Sequence, residues 1–98
     1  MEMVKVVSGN IAEIGYEITE FHVEDTVPNI GDLYIKFKSG TTYKYKSVPD
    51  GIWDLFREAE SLGKYFAAEI KPVYKEVYKL VPIENAKEGE AKFTEVRV

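Results

Sequence analysis

The chain has 98 residues, a length that suits one small domain with a single hydrophobic core. It contains no cysteine, which excludes disulfides and thiolate chemistry, and its formal net charge of −4 argues against a general nucleic-acid binder. No apolar run is long enough to span a bilayer and no signal peptide is evident, so we expect a cytoplasmic protein with no membrane partner.

The first third of the sequence predicts two strands followed by a loop. Met3–Val7 has the character of a short strand, and Ile11–Ile18 alternates apolar with polar residues, as a half-buried strand does. The alternation shifts its phase at Phe21, so we expect a bulge or turn near Thr19. The stretch Glu24–Asp32 holds proline, asparagine and glycine and is typical of a loop.

Two alternating runs joined at Gly40 predict a β-hairpin. A two-residue loop would place lysines on the apolar face, whereas a three-residue loop keeps the apolar side chains together. The second arrangement predicts the cross-strand pairs Leu33–Tyr45, Tyr34–Lys44, Ile35–Tyr43, Lys36–Thr42 and Asp32–Lys46. The outer, solvent-facing side of the hairpin then carries Tyr34, Lys36, Lys38, Lys44 and Lys46.

The rest of the chain predicts two helices and two further strands. A helix begins at Asp50 as its N-cap and ends at Gly63, and a second short helix covers Lys64–Lys71. We favour a strand over Glu76–Val81, ended by a proline, although a helix also fits its spacing. Lys92–Val98 alternates and can add an edge strand.

Together these elements predict an α+β fold. We expect a small antiparallel sheet of four or five strands, with two short helices packed on one face. Residues 1–82 form the single domain, and 83–98 form a charged C-terminal segment.

Positive charge is concentrated in two places. Residues 33–49 hold four lysines and no acidic residue, and residues 63–81 hold four lysines and two glutamates. The simplest interpretation is a mixed, solvated surface that keeps a small domain soluble. The abundance of Glu and Lys and the absence of Gln also resemble the composition of proteins from hot environments.

Between Leu33 and Tyr74 the chain carries a spaced series of residues. They are Phe37-x-Ser39-Gly40, Tyr43-x-Tyr45, Val48-Pro49, Ala59-x-Ser61-x-Gly63, Tyr65-Phe66, Ile70 and Tyr74. Their order and spacing resemble the KTSC domain, a small module found at the C-terminus of some lysyl-tRNA synthetases and as stand-alone proteins.

With Ile14–Glu17 taken as its first strand, the resemblance covers about residues 11–74. The chain departs from the family pattern at Thr19–Gly31, which looks inserted, and at Ala67, where members often have asparagine. The resemblance implies a role in RNA binding and implies no enzyme activity and no cofactor.

Two groups of residues are candidates for function. The lysine-bearing outer side of the hairpin is the candidate nucleic-acid surface, although solvated lysines also discourage edge-to-edge aggregation of sheets. The paired tyrosines either stack on unpaired bases or pack in the core, and the alternation favours the core. We interpret the family-motif residues as structural: Tyr43, Tyr45, Pro49, Ser61, Gly63, Phe66 and Tyr74.

No residue pattern supports catalysis or metal binding. His22 is the single histidine and lies near Glu20, Glu24 and Asp25, where a solvated acidic loop is the simpler interpretation. The leading hypothesis is a non-catalytic binding module that contacts RNA. The rival is a module for protein interaction or self-assembly, with a free sheet edge as the contact and Trp53 or Phe93 as the anchor.

Overall fold

The computed structural model describes residues 3–83 and 92–98. Its sheet is an antiparallel meander in which each strand pairs with the next along the chain. The strands are β1 Val4–Lys5, β2 Ile11–Glu20, β3 Ile30–Phe37, β4 Thr42–Pro49, β5 Val77–Pro82 and β6 Phe93–Arg97.

The prediction of an antiparallel sheet and two short helices is confirmed, but the number of strands was wrong. The sheet has six strands rather than four or five, because short segments near both ends of the chain pair with it. Part of the predicted C-terminal segment, residues 84–91, lies outside the described residues.

The β3–β4 hairpin has the register that its alternation predicts. Leu33 lies opposite Tyr45, and Ile35 lies opposite Tyr43. Gly40 has a φ of 98° and closes the three-residue loop in a conformation that residues with a Cβ rarely adopt. We call the side of the sheet that carries these four apolar residues the core face, and the opposite side the lysine face.

A β-bulge interrupts the same hairpin where β4 approaches its end. Two residues of β4, Lys46 and Ser47, lie opposite the single residue Asp32, and Ser47 has a φ of 59°. The extra residue reverses the alternation, so Val48 and Tyr45 are both buried although they are three positions apart. The sequence pattern contained no clear signal for this bulge.

The core contains residues from the sheet and from the helical region in one buried cluster. The Phe66 ring joins the two parts, with ring centroids 5.5 Å from Tyr45 and 5.6 Å from Phe37 in edge-to-face geometry. The buried members are Ile11, Ile14, Leu33, Ile35, Tyr45, Val48, Phe56, Leu62, Phe66 and Ile70.

The first helix, α1, spans Asp50–Arg57 and is shorter than predicted. Asp50 is its first helical residue and not its N-cap, since the extended residue before it, Pro49, is already the cap. At Glu58 the backbone leaves helical geometry (φ −100°, ψ 0°), so the helix ends well before Gly63.

The second helix, α2, spans Leu62–Tyr65 and contains Gly63, which was wrongly predicted to end the first one. Ser61 is its N-cap, and the Ser61 hydroxyl accepts a hydrogen bond from the Lys64 N–H at 3.4 Å. The helix continues directly into a π-helical segment, Phe66–Ile70. Both ends of this segment, Phe66 and Ile70, are buried.

Candidate functional site

The lysine face places the predicted nucleic-acid residues together but provides most of them with acidic partners. The Lys36 Nζ lies 3.4 Å from a Glu13 carboxylate oxygen, and the Lys46 Nζ lies 3.5 Å from Asp32. Asp32 itself is buried. Lys38, in the hairpin loop, is exposed and makes no ion pair with any described residue.

Lys44 differs most from the prediction, which placed it in solvent. Its exposure is 7%, its Nζ forms an ion pair with Glu95 at 2.5 Å, and it lies 5.7 Å from the centre of the Tyr78 ring. The cause is the width of the sheet. Because β5 and β6 extend the sheet beyond β4, Lys44 lies on a central strand, where Tyr78 of β5 and Glu95 of β6 cover it.

The remaining member of the predicted surface, Tyr34, is half-buried. Burial first, and then the carboxylates of Asp32, Glu17 and Glu95, raise the pKa of Tyr34 to about 12. The lysine face is therefore a largely compensated array of opposite charges, which attracts a phosphate backbone less than four free lysines do.

A second candidate site lies on the core face, where a cavity of about 480 Å³ opens beside β4 and β5. This volume is within the range of small-molecule sites, roughly 300–1,000 Å³. We call it the aromatic pocket. Its lining residues are Asn10, Phe37, Tyr43, Tyr45, Phe66, Lys71, Tyr74, Lys75, Val77 and Val98.

Aromatic rings form the wall of the pocket. Tyr43 meets Phe37 edge-to-face at 5.8 Å, and Phe66 contacts both Phe37 and Tyr45 in the same manner. Tyr45 is buried, whereas Tyr43, Phe37 and Tyr74 keep part of their surface open. The wall is thus fixed by ring-to-ring contacts while three of its rings stay accessible.

Burial affects the chemistry of two of these tyrosines. It raises the pKa of Tyr45 to about 12, with a smaller contribution from Tyr43. Burial, followed by the neighbouring Tyr65, also raises the pKa of Tyr74. Both phenols are therefore neutral at physiological pH and can act as hydrogen-bond donors.

The polar residues of the pocket are basic or neutral. Lys71 and Lys75 are exposed and form no ion pair with any described residue, and none of the described lining residues is Asp or Glu. The helical region positions them: the Lys71 N–H donates to the Phe66 carbonyl at 2.9 Å, and the Tyr74 N–H donates to the Ile70 carbonyl at 3.0 Å. The aromatic pocket consequently combines open ring faces with two positive charges.

A neighbouring hollow extends the aromatic pocket toward the hairpin loop. It shares Asn10, Phe37 and Tyr43 with the pocket and adds Lys38 and other loop residues. A continuous path therefore runs along the core face from the two pocket lysines, across the rings, to a third lysine.

Sequence analysis named part of the pocket lining, but as structural residues and not as a binding site. Four of the predicted motif residues line the pocket, namely Tyr43, Tyr45, Phe66 and Tyr74. The other three, Pro49, Ser61 and Gly63, lie at helix starts. Lys71, Lys75 and Asn10 were missed, although the excess of lysine in residues 63–81 was a usable signal for the first two.

The predicted interface residue Trp53 is packed within the domain. Its ring stacks on Tyr16 at 5.6 Å with an interplanar angle of 10°, and the Arg57 guanidinium lies 5.8 Å from it. The Tyr16 hydroxyl donates a hydrogen bond to the Val48 carbonyl at 2.6 Å. These contacts tie α1 to β2 and β4.

Within residues 3–83 and 92–98, no three His, Cys, Asp or Glu side chains cluster in a way that could hold a metal ion. The His22 Nε2 lies 3.7 Å from a Glu20 carboxylate oxygen in an open loop. Among the helices that the structure describes, none has the length and apolar character needed to cross a bilayer.

A protein-family model, a solved structure and a curated protein are similar to this chain. The KTSC domain model matches residues 27–74. A KTSC domain protein of Yersinia pestis of known crystal structure superposes with a TM-score of 0.62 and 29% identity, covering 74% of this chain and 89% of that one. The chain belongs to the KTSC domain family. An uncharacterized protein of Stutzerimonas stutzeri strain A1501 is 31% identical over 72 residues, which are 74% of this chain and 87% of that protein.

The match to the KTSC model includes the aromatic wall of the pocket and Lys71, whereas Lys75 and Val77 lie just beyond it. The first strand that we assigned to the family, Ile14–Glu17, also lies outside the matched range.

Proposed function

We propose that this KTSC domain is a non-catalytic module that binds single-stranded RNA, with an unpaired base received in the aromatic pocket. One observation carries the proposal: open aromatic rings and two lysines line the same cavity, and none of its described lining residues is Asp or Glu. Single-stranded RNA is typically recognised by stacking of splayed bases on aromatic side chains, together with contacts to phosphate.

The path along the core face supports a strand rather than an isolated nucleotide. Lys71 and Lys75 lie at one end of the path and Lys38 at the other, with Tyr43 and Phe37 between them. A base that stacks on the exposed rings leaves the phosphates on either side near these lysines. Stacking on one aromatic residue is worth roughly 1–3 kcal/mol per base.

The predicted surface on the lysine face is the second candidate for the same ligand. Its charges support RNA binding less well, because Lys36, Lys44 and Lys46 each already have a carboxylate partner. Changing all four hairpin lysines to glutamate would also disturb the fold, since Lys44 is buried. A useful test therefore has to separate the two faces with milder substitutions.

The experiment is binding of a fluorescently labelled single-stranded RNA of mixed sequence, followed by anisotropy at low salt. We expect the double variant Lys71→Glu/Lys75→Glu to lose about tenfold or more in affinity, because two phosphate contacts become repulsive. Tyr74→Leu should lose a comparable amount through loss of stacking. The matched control is Lys5→Glu/Lys64→Glu, which changes the net charge equally at exposed positions outside the pocket.

The outcomes distinguish the aromatic pocket from the lysine face as the RNA site. Loss of binding in both pocket variants, with the control within about threefold of wild type, supports the aromatic pocket. A variant confined to the lysine face, Lys36→Glu, adds the contrast, because Lys38 borders the hollow that continues the pocket. If it abolishes binding while the pocket variants bind normally, the RNA lies on the lysine face. If the wild-type domain binds no RNA at low salt, the proposed function is wrong.

A further inference from the structure

Strand β6 is a long, open edge of the sheet. All five of its residues, Phe93–Arg97, are exposed, and no described strand pairs with its outer side. The opposite edge is the two-residue strand β1. Natural sheets usually protect an edge with proline, charged side chains or a bulge. Phe93–Arg97 contains no proline and no bulge, and its two charged residues, Glu95 and Arg97, are of opposite sign.

The backbone of β6 offers a defined set of outward hydrogen-bonding groups. The Val98 N–H donates to the Val77 carbonyl of β5 at 2.9 Å. Because hydrogen-bonded pairs alternate along an antiparallel ladder, Val96 and Thr94 direct their backbone groups to β5 as well. The residues between them point their N–H and C=O to the open side: Phe93, Glu95 and Arg97.

We propose that β6 pairs with β6 of a second copy of this chain, antiparallel, with Val96 on the two-fold axis. In this register Glu95 of each copy lies opposite Arg97 of the other, and both residues belong to the lysine face, opposite Leu80 and Tyr78 of β5. The two pairs bring opposite charges together at positions whose backbone groups point outward, so each is a hydrogen-bonded pair. Within one chain Glu95 already pairs with Lys44 and Arg97 lies 3.9 Å from Glu76, so the cross-strand pairs extend a network of alternating charge.

Charge complementarity selects this register over its neighbour. A shift by one residue per strand puts Glu95 on the axis. The two Glu95 side chains then lie opposite each other, and their carboxylates repel. With Val96 on the axis, an apolar pair of valines meets instead, and Val96 is 49% exposed in the single chain. The interface is isologous, so β6 of each copy provides hydrogen-bond partners for the outward backbone groups of β6 in the other copy.

Formation of this dimer is independent of the proposed RNA binding, and it is measured in the absence of RNA. A single introduced cysteine reports the register, because the chain has no cysteine of its own. In a non-hydrogen-bonded antiparallel pair the Cα atoms are about 4.5 Å apart, which a disulfide can bridge. We expect Val96→Cys to form a covalent dimer under mild oxidation.

Two cysteine controls accompany it. Thr94→Cys lies opposite Val98 of the second copy in this register and should not cross-link, and Val23→Cys reports random collision at an exposed loop position. Rapid cross-linking of Thr94→Cys in place of Val96→Cys would overturn the register.

Association itself is measured by sedimentation of the unmodified chain over a concentration series. We expect a concentration-dependent dimer that Val96→Asp abolishes and that Val23→Asp, the same change in a distant loop, leaves intact. Arg97→Glu should weaken the dimer about tenfold, because two attractive cross-strand pairs become repulsive, whereas Arg57→Glu should not. Circular dichroism checks that each variant is folded. A monomer at every concentration, or a dimer indifferent to Val96→Asp, would contradict the proposal.

Discussion

Lys44 is held by groups from two strands other than its own. Tyr78 of β5 lies beneath its ammonium group, and Glu95 of β6 supplies the carboxylate. Burial of an ammonium group is tolerated only when such partners compensate for the water that it loses. The residue is therefore part of the internal structure of the lysine face and is not available to a ligand.

This arrangement predicts that removal of Lys44 and removal of Glu95 change the free energy of unfolding by different amounts. Lys44→Met removes the buried charge and leaves Glu95, which is 46% exposed, in contact with water, so we expect a change within about 1 kcal/mol. Glu95→Ala leaves the buried ammonium without its carboxylate and should destabilise by about 1–3 kcal/mol. Urea unfolding of dilute, monomeric samples measures both.

The control for this pair is Glu13→Ala. It removes the partner of Lys36, whose side chain is 43% exposed, and should cost less than about 0.5 kcal/mol. The account of Lys44 is wrong if Lys44→Met destabilises more than Glu95→Ala.

At the scale of elements, the sequence predicted what depends on local alternation. The hairpin register followed from keeping Leu33, Ile35 and the two tyrosines on one face, and the structure has those pairs. The bulge at Ser47 and the early end of α1 depend on tertiary contacts and left no periodic signal. For the same reason the sequence identified the aromatic half of the pocket but missed Lys71 and Lys75, which join it only through the path of the helical region.

β2 and β3 approach each other so closely at Gly31 that a side chain there has no room. A Cβ at this position would clash with the Glu17 carbonyl oxygen and lie 2.7 Å from the Tyr16 Cζ. The carbonyl belongs to the backbone and cannot move aside, so we expect Gly31→Ala to destabilise by about 1–3 kcal/mol. Thermal or urea unfolding measures the loss.

Gly51 provides the matched control. It lies within α1, and a Cβ there would have nothing within 4 Å. Gly51→Ala should stabilise the domain by about 0.4–1 kcal/mol, because it reduces the freedom of the unfolded chain. Equal effects of the two substitutions would show that the contact between β2 and β3 is not close.

At the scale of the whole molecule, a net charge of −4 coexists with a basic region on the core face. On the lysine face, Lys36, Lys44 and Lys46 are compensated by carboxylates, whereas Lys71 and Lys75 of the pocket are not paired with any described residue. The overall acidity therefore does not exclude local attraction of a phosphate. Pairing through β6 about an axis normal to the sheet would place two aromatic pockets on the same side of a continuous sheet.

Buried tyrosines predict how the stability of the whole domain depends on alkaline pH. The pKa values of Tyr16, Tyr34 and Tyr45 are raised from 10.0 to about 12, with burial as the first cause in each. A raised pKa of an acid means that the folded state favours the neutral phenol. The buried neutral phenol contributes fully to stability below pH 10, where the same phenol is also neutral in the unfolded chain. This contribution is lost as the pH rises to about 12.

We therefore expect the free energy of unfolding to decrease between pH 10 and pH 12, while tyrosinate absorbance of the folded domain shows at least three late-titrating phenols. Tyr16→Phe should remove one of the three and make the decrease shallower. A folded domain in which all seven tyrosines ionise near pH 10 would contradict this prediction.

The salt dependence of RNA binding tests the aromatic pocket most directly. For single-stranded nucleic acid, the logarithm of the binding constant falls with the logarithm of salt concentration by about 0.7 per phosphate neutralised. If Lys71 and Lys75 each contact one phosphate, Lys71→Gln/Lys75→Gln should make this slope shallower by about 1.4 and weaken binding at low salt. An unchanged slope and affinity in this variant, or no binding of RNA by the wild-type domain, would contradict the account.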